Sequence, residues 1–191
     1  MEPWKRNIVD EKFYYLSNTP SDINEHLPIL KKYTEECESV LELGVRWIVA
    51  SWAFLSGKPK YFTGLDIDDP SIHGADLNEL KKGAEQNNVN FNFILGDDLN
   101  PEVYNNLPNF DLIFIDTDHT YHQVINELKV YNSKANKYII LHDTISFRHG
   151  GFNNDQKGIW AAVMEFLYLH KEWELWESFS NNNGLTILKK K

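Results

Sequence analysis

The segment at 110–123, FDLIFIDTDHTYHQ, runs an apolar stretch straight into Asp116, Asp118 and His119, with Tyr121 and His122 behind them. Further along, YIILHDT repeats the arrangement, closing an apolar run on His142 and Asp143. Carboxylates and imidazoles together suit two kinds of chemistry. They ligate divalent cations, and an imidazole of unperturbed pKa ~6.5 takes up protons near neutrality. His119, three residues after Asp116, is therefore a candidate general base for a hydroxyl proton. Asp116, His142 and Asp143 are candidate metal ligands that would leave positions open for substrate. Three earlier apolar runs also close on acids or glycine: LELG with Glu42 and Gly44, GLDID with Asp66, and ILGD with Asp97.

Those residues matter only if the chain brings them together. Short runs rich in β-branched and aromatic residues at 39–44, 60–68, 90–97, 110–116 and 137–143 read as strands. Between them, 21–36 (with Ser21 as N-cap), 47–56, 75–87, 101–107 and 120–134 read as helices. Alternating strands and helices argue a parallel, doubly wound sheet, and near-continuous apolar runs suit strands covered on both faces. After a polar loop, 158–172 reads as a helix. WELWESFS and GLTILKK then flank Asn181, Asn182, Asn183 and Gly184, residues that tolerate the positive φ of a hairpin turn. The expected architecture is α/β, doubly wound, with a mostly parallel seven-stranded sheet ending in a C-terminal antiparallel hairpin.

In an open sheet of this kind, ligands bind beyond the carboxyl ends of the strands. Gly44 permits a tight turn and close approach of a cofactor. Asp66, 22 residues later, is placed to accept ribose hydroxyls, and Asp97 to meet an adenine edge. A dinucleotide fold wants G-x-G-x-x-G to seat a pyrophosphate. Here the loop reads G-V-R-W-I-V, and Trp47 and Ile48 would obstruct one. The pattern fits an adenosine cofactor without phosphates, such as S-adenosylmethionine. Adjacent strand residues point to opposite faces, so His142 and Asp143 converge only if the chain turns between them and Thr144. Asp118 either orients His119 or caps the helix that starts near Thr120.

A chain of 191 residues fits one domain, 1–191, divided into an N-terminal flap and helix (1–37) and a cofactor-binding core (38–191). The net charge of −9 argues against a nucleic-acid binder, which needs a basic surface. Cys37 has no partner for an internal disulfide. MEPWKRNIVDEKF lacks an apolar leader core, and no run of ~18 apolar residues occurs, so a cytoplasmic protein without membrane partners is expected. Trp4, Phe13, Tyr14 and Tyr15 form either a flap over an acceptor pocket or a contact between subunits of a homo-oligomer. The loop 146–157, with Arg148 and His149, reads as a lid or as a surface loop.

VLELG, GLDID, FDLIFIDTDHTY, YIILHDT, KGIW and NNNGLTIL together resemble the class I methyltransferases. More narrowly, they resemble the small branch grouped with cephalosporin hydroxylase-like and macrolide-sugar O-methyltransferases. The resemblance spans about residues 38–190. It implies S-adenosylmethionine along Glu42, Gly44, Asp66, Asp97 and Asp116, and a divalent metal on Asp116, His142 and Asp143. It also implies catalytic roles for Asp116 and His119, the latter where catechol-type relatives carry a lysine. The acceptor implied is a small hydroxylated molecule such as a sugar or glycoside. The sequence departs from the pattern in two places. The usual second glycine of the first loop is absent, with Ile48 near its place, and His142 stands where a carboxylate is common. Mg or Mn is the metal implied, although imidazole suits Mn, Fe, Zn or Ni better than Mg. Two rival readings remain: a non-heme metal oxygenase or hydroxylase using Asp116, His119 and His142, and a non-catalytic cofactor-binding module.

Overall fold

The computed structural model describes residues 7–151 and 156–191. Seven strands form one sheet in the order β3-β2-β1-β4-β5-β7-β6. They are β1 (Ser39–Leu43), β2 (Tyr61–Asp66), β3 (Asn90–Leu95), β4 (Phe110–Ile115), β5 (Ala135–His142), β6 (Trp173–Phe179) and β7 (Leu185–Lys190). The first five pair in parallel, while β7 runs antiparallel to both β5 and β6. The hairpin expected around Asn181–Gly184 is present, with Asn182, Asn183 and Gly184 all at positive φ.

Strand periodicity divides the core into two layers. Val40, Phe62, Leu112, Phe114 and Ile140 face one side of the sheet, packed under α1 (Ile8–Asn18), α2 (Leu27–Thr34), α3 (Val49–Gly57) and α4 (Leu77–Gln86). Leu41, Leu43, Ile113, Ile115, Ile139 and Leu141 face the other, under α6 (Tyr121–Tyr131) and α7 (Gly158–Leu169). A short helix, α5 (Pro101–Tyr104), precedes β4. Each fully buried Leu, Ile or Phe contributes roughly 1.5–3 kcal/mol of transfer free energy, so both layers hold the strand ends firmly in register. Helix α3 is buried along almost its whole length because it lies between the sheet and helices α1, α2 and α4.

One local expectation changes. Residues 21–23 are not helical; a 3₁₀ turn at Asn24–His26 leads into α2, whose start is set by Pro28 in its first turn. The Ser21 hydroxyl instead accepts from the Ile23 amide at 3.3 Å. The N-terminal aromatics belong to α1, which Asn7 caps by accepting from the Val9 amide. Val9 is fully buried, Phe13 and Leu16 pack on the same layer, and Tyr14 and Tyr15 are exposed. Trp4 lies outside the described residues. Among the described residues, no helix is long and apolar enough to cross a membrane.

Candidate active site

A cavity of about 560 Å³ opens at the carboxyl ends of β1 to β5. Glu42, Gly44, Asp66, Asp97, Asp116, His119 and Asp143 all line it. His142 does not; it is buried behind the two aspartates, 2% exposed. Phe13, Tyr14 and Tyr15 do not line it either. The N-terminal wall is Asp22 and Ile23.

At the β1 end, Gly44 sits at φ +81° with its Cα against the Asp116 carbonyl, so that an added Cβ would fall 2.1 Å from that oxygen. The following loop is shaped by Asp66. Its Oδ2 accepts from the Val45 and Arg46 amides at 2.7 and 2.9 Å, and its Oδ1 from the Asp68 amide at 2.9 Å. A carboxylate has about four acceptor positions, so Asp66 keeps capacity for a hydroxyl ligand. The loop makes its turn without a second glycine by holding Arg46 at φ +37° and Ile48 at φ +56°. A β-branched residue there costs on the order of 1–2 kcal/mol, which burial of the Ile48 side chain offsets. Trp47 stands half exposed on the cavity wall, with the Arg46 guanidinium 4.0 Å from its ring centre.

Glu42 is buried, and its Oε2 accepts from the Ser51 hydroxyl at 2.6 Å. Burial, with Asp116 and Asp66 nearby, pushes its carboxyl well above the usual range. Asp97 is exposed and accepts from the Leu99 amide. Its neighbour Asp98, passed over in the sequence, is buried near Glu127 of α6, and burial with the other acid close by pushes both carboxyls upward. Gln123 donates to both acids and the Thr117 hydroxyl donates to Glu127, so this pair ties the ends of β3 and β4 to α6. A signal existed: Glu127 falls on the same stripe as Val124, Leu128 and Tyr131, where an acid must find a partner or a proton.

At the β4 and β5 ends, Asp143 adopts φ +59°. That turn brings the consecutive side chains of His142 and Asp143 to one side, facing Asp116. His119 Nε2 lies 2.8 Å from Asp143 Oδ2 and 3.3 Å from Asp116 Oδ1, bridging the carboxylates, and its ring stacks on Phe147 at 4.6 Å. His142 Nδ1 lies 3.4 Å from Asp116 Oδ1 and 3.7 Å from Asp143 Oδ2, while its Nε2 donates to the Asn182 carbonyl at 3.1 Å. Burial opposes charge on both imidazoles, but the paired aspartates outweigh it and raise each pKa to about 9. Asp116, despite burial, is held well below the usual carboxylate range by His142 and His119.

Asp116, His142 and Asp143 each offer one donor atom, all within 4.8 Å of one another. His142 Nδ1 and Asp143 Oδ1 are buried and make no hydrogen bond among the described residues. Two carboxylates plus an imidazole whose far nitrogen is fixed by a carbonyl is a donor set that fits a divalent first-row cation.

The other residues singled out in this region play bounded parts. Thr120, not Asp118, caps α6, accepting from the Gln123 amide at 3.2 Å. Tyr121 is buried with its hydroxyl on Glu165, and His122 is exposed. Arg148 packs over Trp160 at 4.4 Å, and neither Arg148 nor His149 lines the cavity. Part of that loop, 152–155, lies outside the described residues.

No protein-family model matches the chain, and no curated protein matches it. Solved structures do. An O-methyltransferase from Bacillus cereus in complex with S-adenosylhomocysteine is 14% identical with a TM-score of 0.66, covering 100% of this chain and 94% of that one. The O-methyltransferase TomG from Streptomyces achromogenes, involved in tomaymycin synthesis and in complex with S-adenosylmethionine, is 10% identical with a TM-score of 0.70, covering 98% and 91%. The S-adenosylhomocysteine-bound Podospora anserina methyltransferase PaMTH1 is 14% identical with a TM-score of 0.64, covering 97% and 88%. The chain has the Rossmann-like fold of the class I methyltransferases, with its mostly parallel seven-stranded sheet and C-terminal antiparallel hairpin.

Proposed function

We propose that this protein is an S-adenosylmethionine-dependent O-methyltransferase, assisted by a divalent metal, acting on a small hydroxylated acceptor such as a sugar or glycoside. The observation that carries the reading is the lining of the cavity. Acids from five strand ends converge there, and the first loop offers no glycine cradle for a pyrophosphate. Such a wall suits a cofactor bearing a sulfonium and an ammonium, and opposes one bearing phosphates. The bound states of the neighbouring folds agree with that choice.

In this reading Asp66 accepts the ribose hydroxyls with the capacity its loop amides leave, Asp97 meets the adenine edge, and Gly44 lets the chain approach closely. S-adenosylmethionine would supply an electrophilic methyl carbon, and Asp116, His142 and Asp143 would hold a metal that would supply Lewis acidity. His119 Nε2 would take the proton of the acceptor O–H, whose oxygen would accept the methyl group that S-adenosylmethionine would supply, leaving S-adenosylhomocysteine. His119 is fit for that task only once Asp116 and Asp143 are engaged by a cation. Without one, their charge keeps the imidazole protonated up to a pKa of about 9. The chain's main contribution is then alignment of one oxygen with one carbon.

The test is transfer of labelled methyl from S-adenosylmethionine to a panel of hexoses, glycosides and vicinal diols in the presence of Mn(II) or Mg(II). Labelled product that disappears in Asp143→Ala and falls at least a hundredfold in His119→Ala supports the reading. Undiminished transfer in His119→Ala removes its role as base, and undiminished transfer in Asp143→Ala removes the metal.

A further inference from the structure

The hairpin tip between β6 and β7 is remote in sequence from every residue assigned above, yet Asn182 touches the site's architecture three times. Its carbonyl accepts from His142 Nε2 at 3.1 Å. Its side-chain Oδ1 accepts from the Glu25 amide at 2.6 Å, and its Nδ2 donates to the Ser21 carbonyl at 3.1 Å. Segment 21–25 contains Asp22 and Ile23, the N-terminal wall of the cavity. The neighbours brace the same junction. Asn181 Nδ2 donates to the Glu25 carboxylate, and the Asn183 carbonyl accepts from Ile145 and Ser146 just beyond Asp143. Asn182 holds φ +40°, a backbone state that asparagine and glycine tolerate and β-branched residues do not.

We infer that Asn182 is a positioning residue that fixes the orientation of His142 through its carbonyl and pins the Asp22–Ile23 wall through its side chain. The inference rests on the reading of His142 as a metal ligand. An imidazole whose Nε2–H is held by a carbonyl presents Nδ1 to Asp116 and Asp143 in one orientation, and loss of such a partner typically weakens a metal site by about 10–100-fold. Because one residue makes both ties, a change at the hairpin tip reaches the metal ligand and the cavity wall together.

Two substitutions separate the ties. Asn182→Gly keeps the left-handed backbone and the carbonyl but removes both side-chain bonds. Asn182→Val removes the side-chain bonds and drives the backbone out of its conformation. Mn(II) and S-adenosylhomocysteine are titrated separately, and the His142 Nε2–H resonance is followed by ¹H–¹⁵N spectroscopy of histidine-labelled protein. Asn182→Gly is expected to retain the slowly exchanging Nε2–H signal and Mn(II) affinity within about threefold, while S-adenosylhomocysteine affinity falls about three- to tenfold. Asn182→Asp, which still accepts from Glu25, is expected to recover part of that loss. Asn182→Val is expected to lose the signal and at least tenfold in Mn(II) affinity. Wild-type S-adenosylhomocysteine affinity in Asn182→Gly overturns the wall tie, and an unchanged His142 signal in folded Asn182→Val overturns the carbonyl tie. If Asn182→Val does not fold, absence of the protected Nε2–H signal from wild type and Asn182→Gly overturns the carbonyl tie instead. Failure of the wild type to bind Mn(II) refutes the metal reading by itself, and the imidazole signal still decides the carbonyl tie.

Discussion

Replacing Gly44 by alanine tests the packing that joins the cofactor loop to the catalytic strand. Two terms add. An alanine at φ +81° costs about 1–2 kcal/mol from the left-handed backbone alone. Its Cβ would also lie 2.1 Å from the Asp116 carbonyl oxygen and 2.7 Å from the carbonyl carbon, and both obstacles are backbone. Relief requires the β1 and β4 ends to part, straining Gly44 N–H to Leu65 O at 3.0 Å and Asp116 N–H to Leu43 O at 2.9 Å. Overpacking of this kind typically costs a further 1–3 kcal/mol. The total is roughly 2–5 kcal/mol, a large share of the about 5–15 kcal/mol that holds a domain folded. Gly74 supplies the control: it has almost the same φ, +83°, with nothing among the described residues within 4 Å of an added Cβ. Urea unfolding should therefore place Gly74→Ala about 1–2 kcal/mol below wild type, and Gly44→Ala at least another 1 kcal/mol lower. S-adenosylhomocysteine affinity should fall at least tenfold in Gly44→Ala and stay unchanged in Gly74→Ala. Equal unfolding free energies for the two variants would refute the close-approach argument.

His119 and His142 have folded pKa values raised to about 9 from 6.5, so their stabilising contribution is complete below pH 6.5 and is lost as pH rises through about 9. Urea midpoints of metal-free protein should fall by a few kcal/mol equivalent between pH 6.5 and 9.5, and His119→Asn should flatten the profile. Glu127→Gln keeps an acceptor for Thr117 and offers an amide N–H to Asp98. Burial raises the wild-type Glu127 pKa, so wild type loses stability as pH rises from the ordinary glutamate range toward that raised value, whereas the variant does not. The stability of Glu127→Gln relative to wild type should therefore increase with pH; a pH-independent difference would mean that burial does not raise the Glu127 carboxyl. Cys37 is buried with its thiol pushed up to about 12, so iodoacetamide at pH 8 should modify it only when urea unfolds the chain. Rapid labelling of native protein would contradict its burial.

The sheet was legible because each strand is a compact apolar run closed by a polar residue, and the Asn-Asn-Asn-Gly turn announced its own hairpin. The α2 start is not legible locally, because Ser21 satisfies the pattern of a cap whereas Pro28 and a preceding 3₁₀ turn set the true start. The strand-end acids were legible by position. What they do with their oxygens was not: Asp66 is engaged by loop amides 20 and 21 residues away, a contact no local spacing encodes. Nor does a missing glycine reveal that Ile48 adopts positive φ, since only tertiary burial makes that conformation tenable. The Asp143 turn that brings two neighbouring side chains to one side, and the Asn182 contact 40 residues from His142, likewise depend on packing around the hairpin.

The central claim is the cofactor, and calorimetric titration with S-adenosylhomocysteine, with NAD as the comparison, tests it most directly. Micromolar binding of S-adenosylhomocysteine, with no heat from NAD, is the predicted result. Absence of S-adenosylhomocysteine binding, both with and without added Mn(II), would contradict the account and turn attention to iron bound by Asp116, His119 and His142.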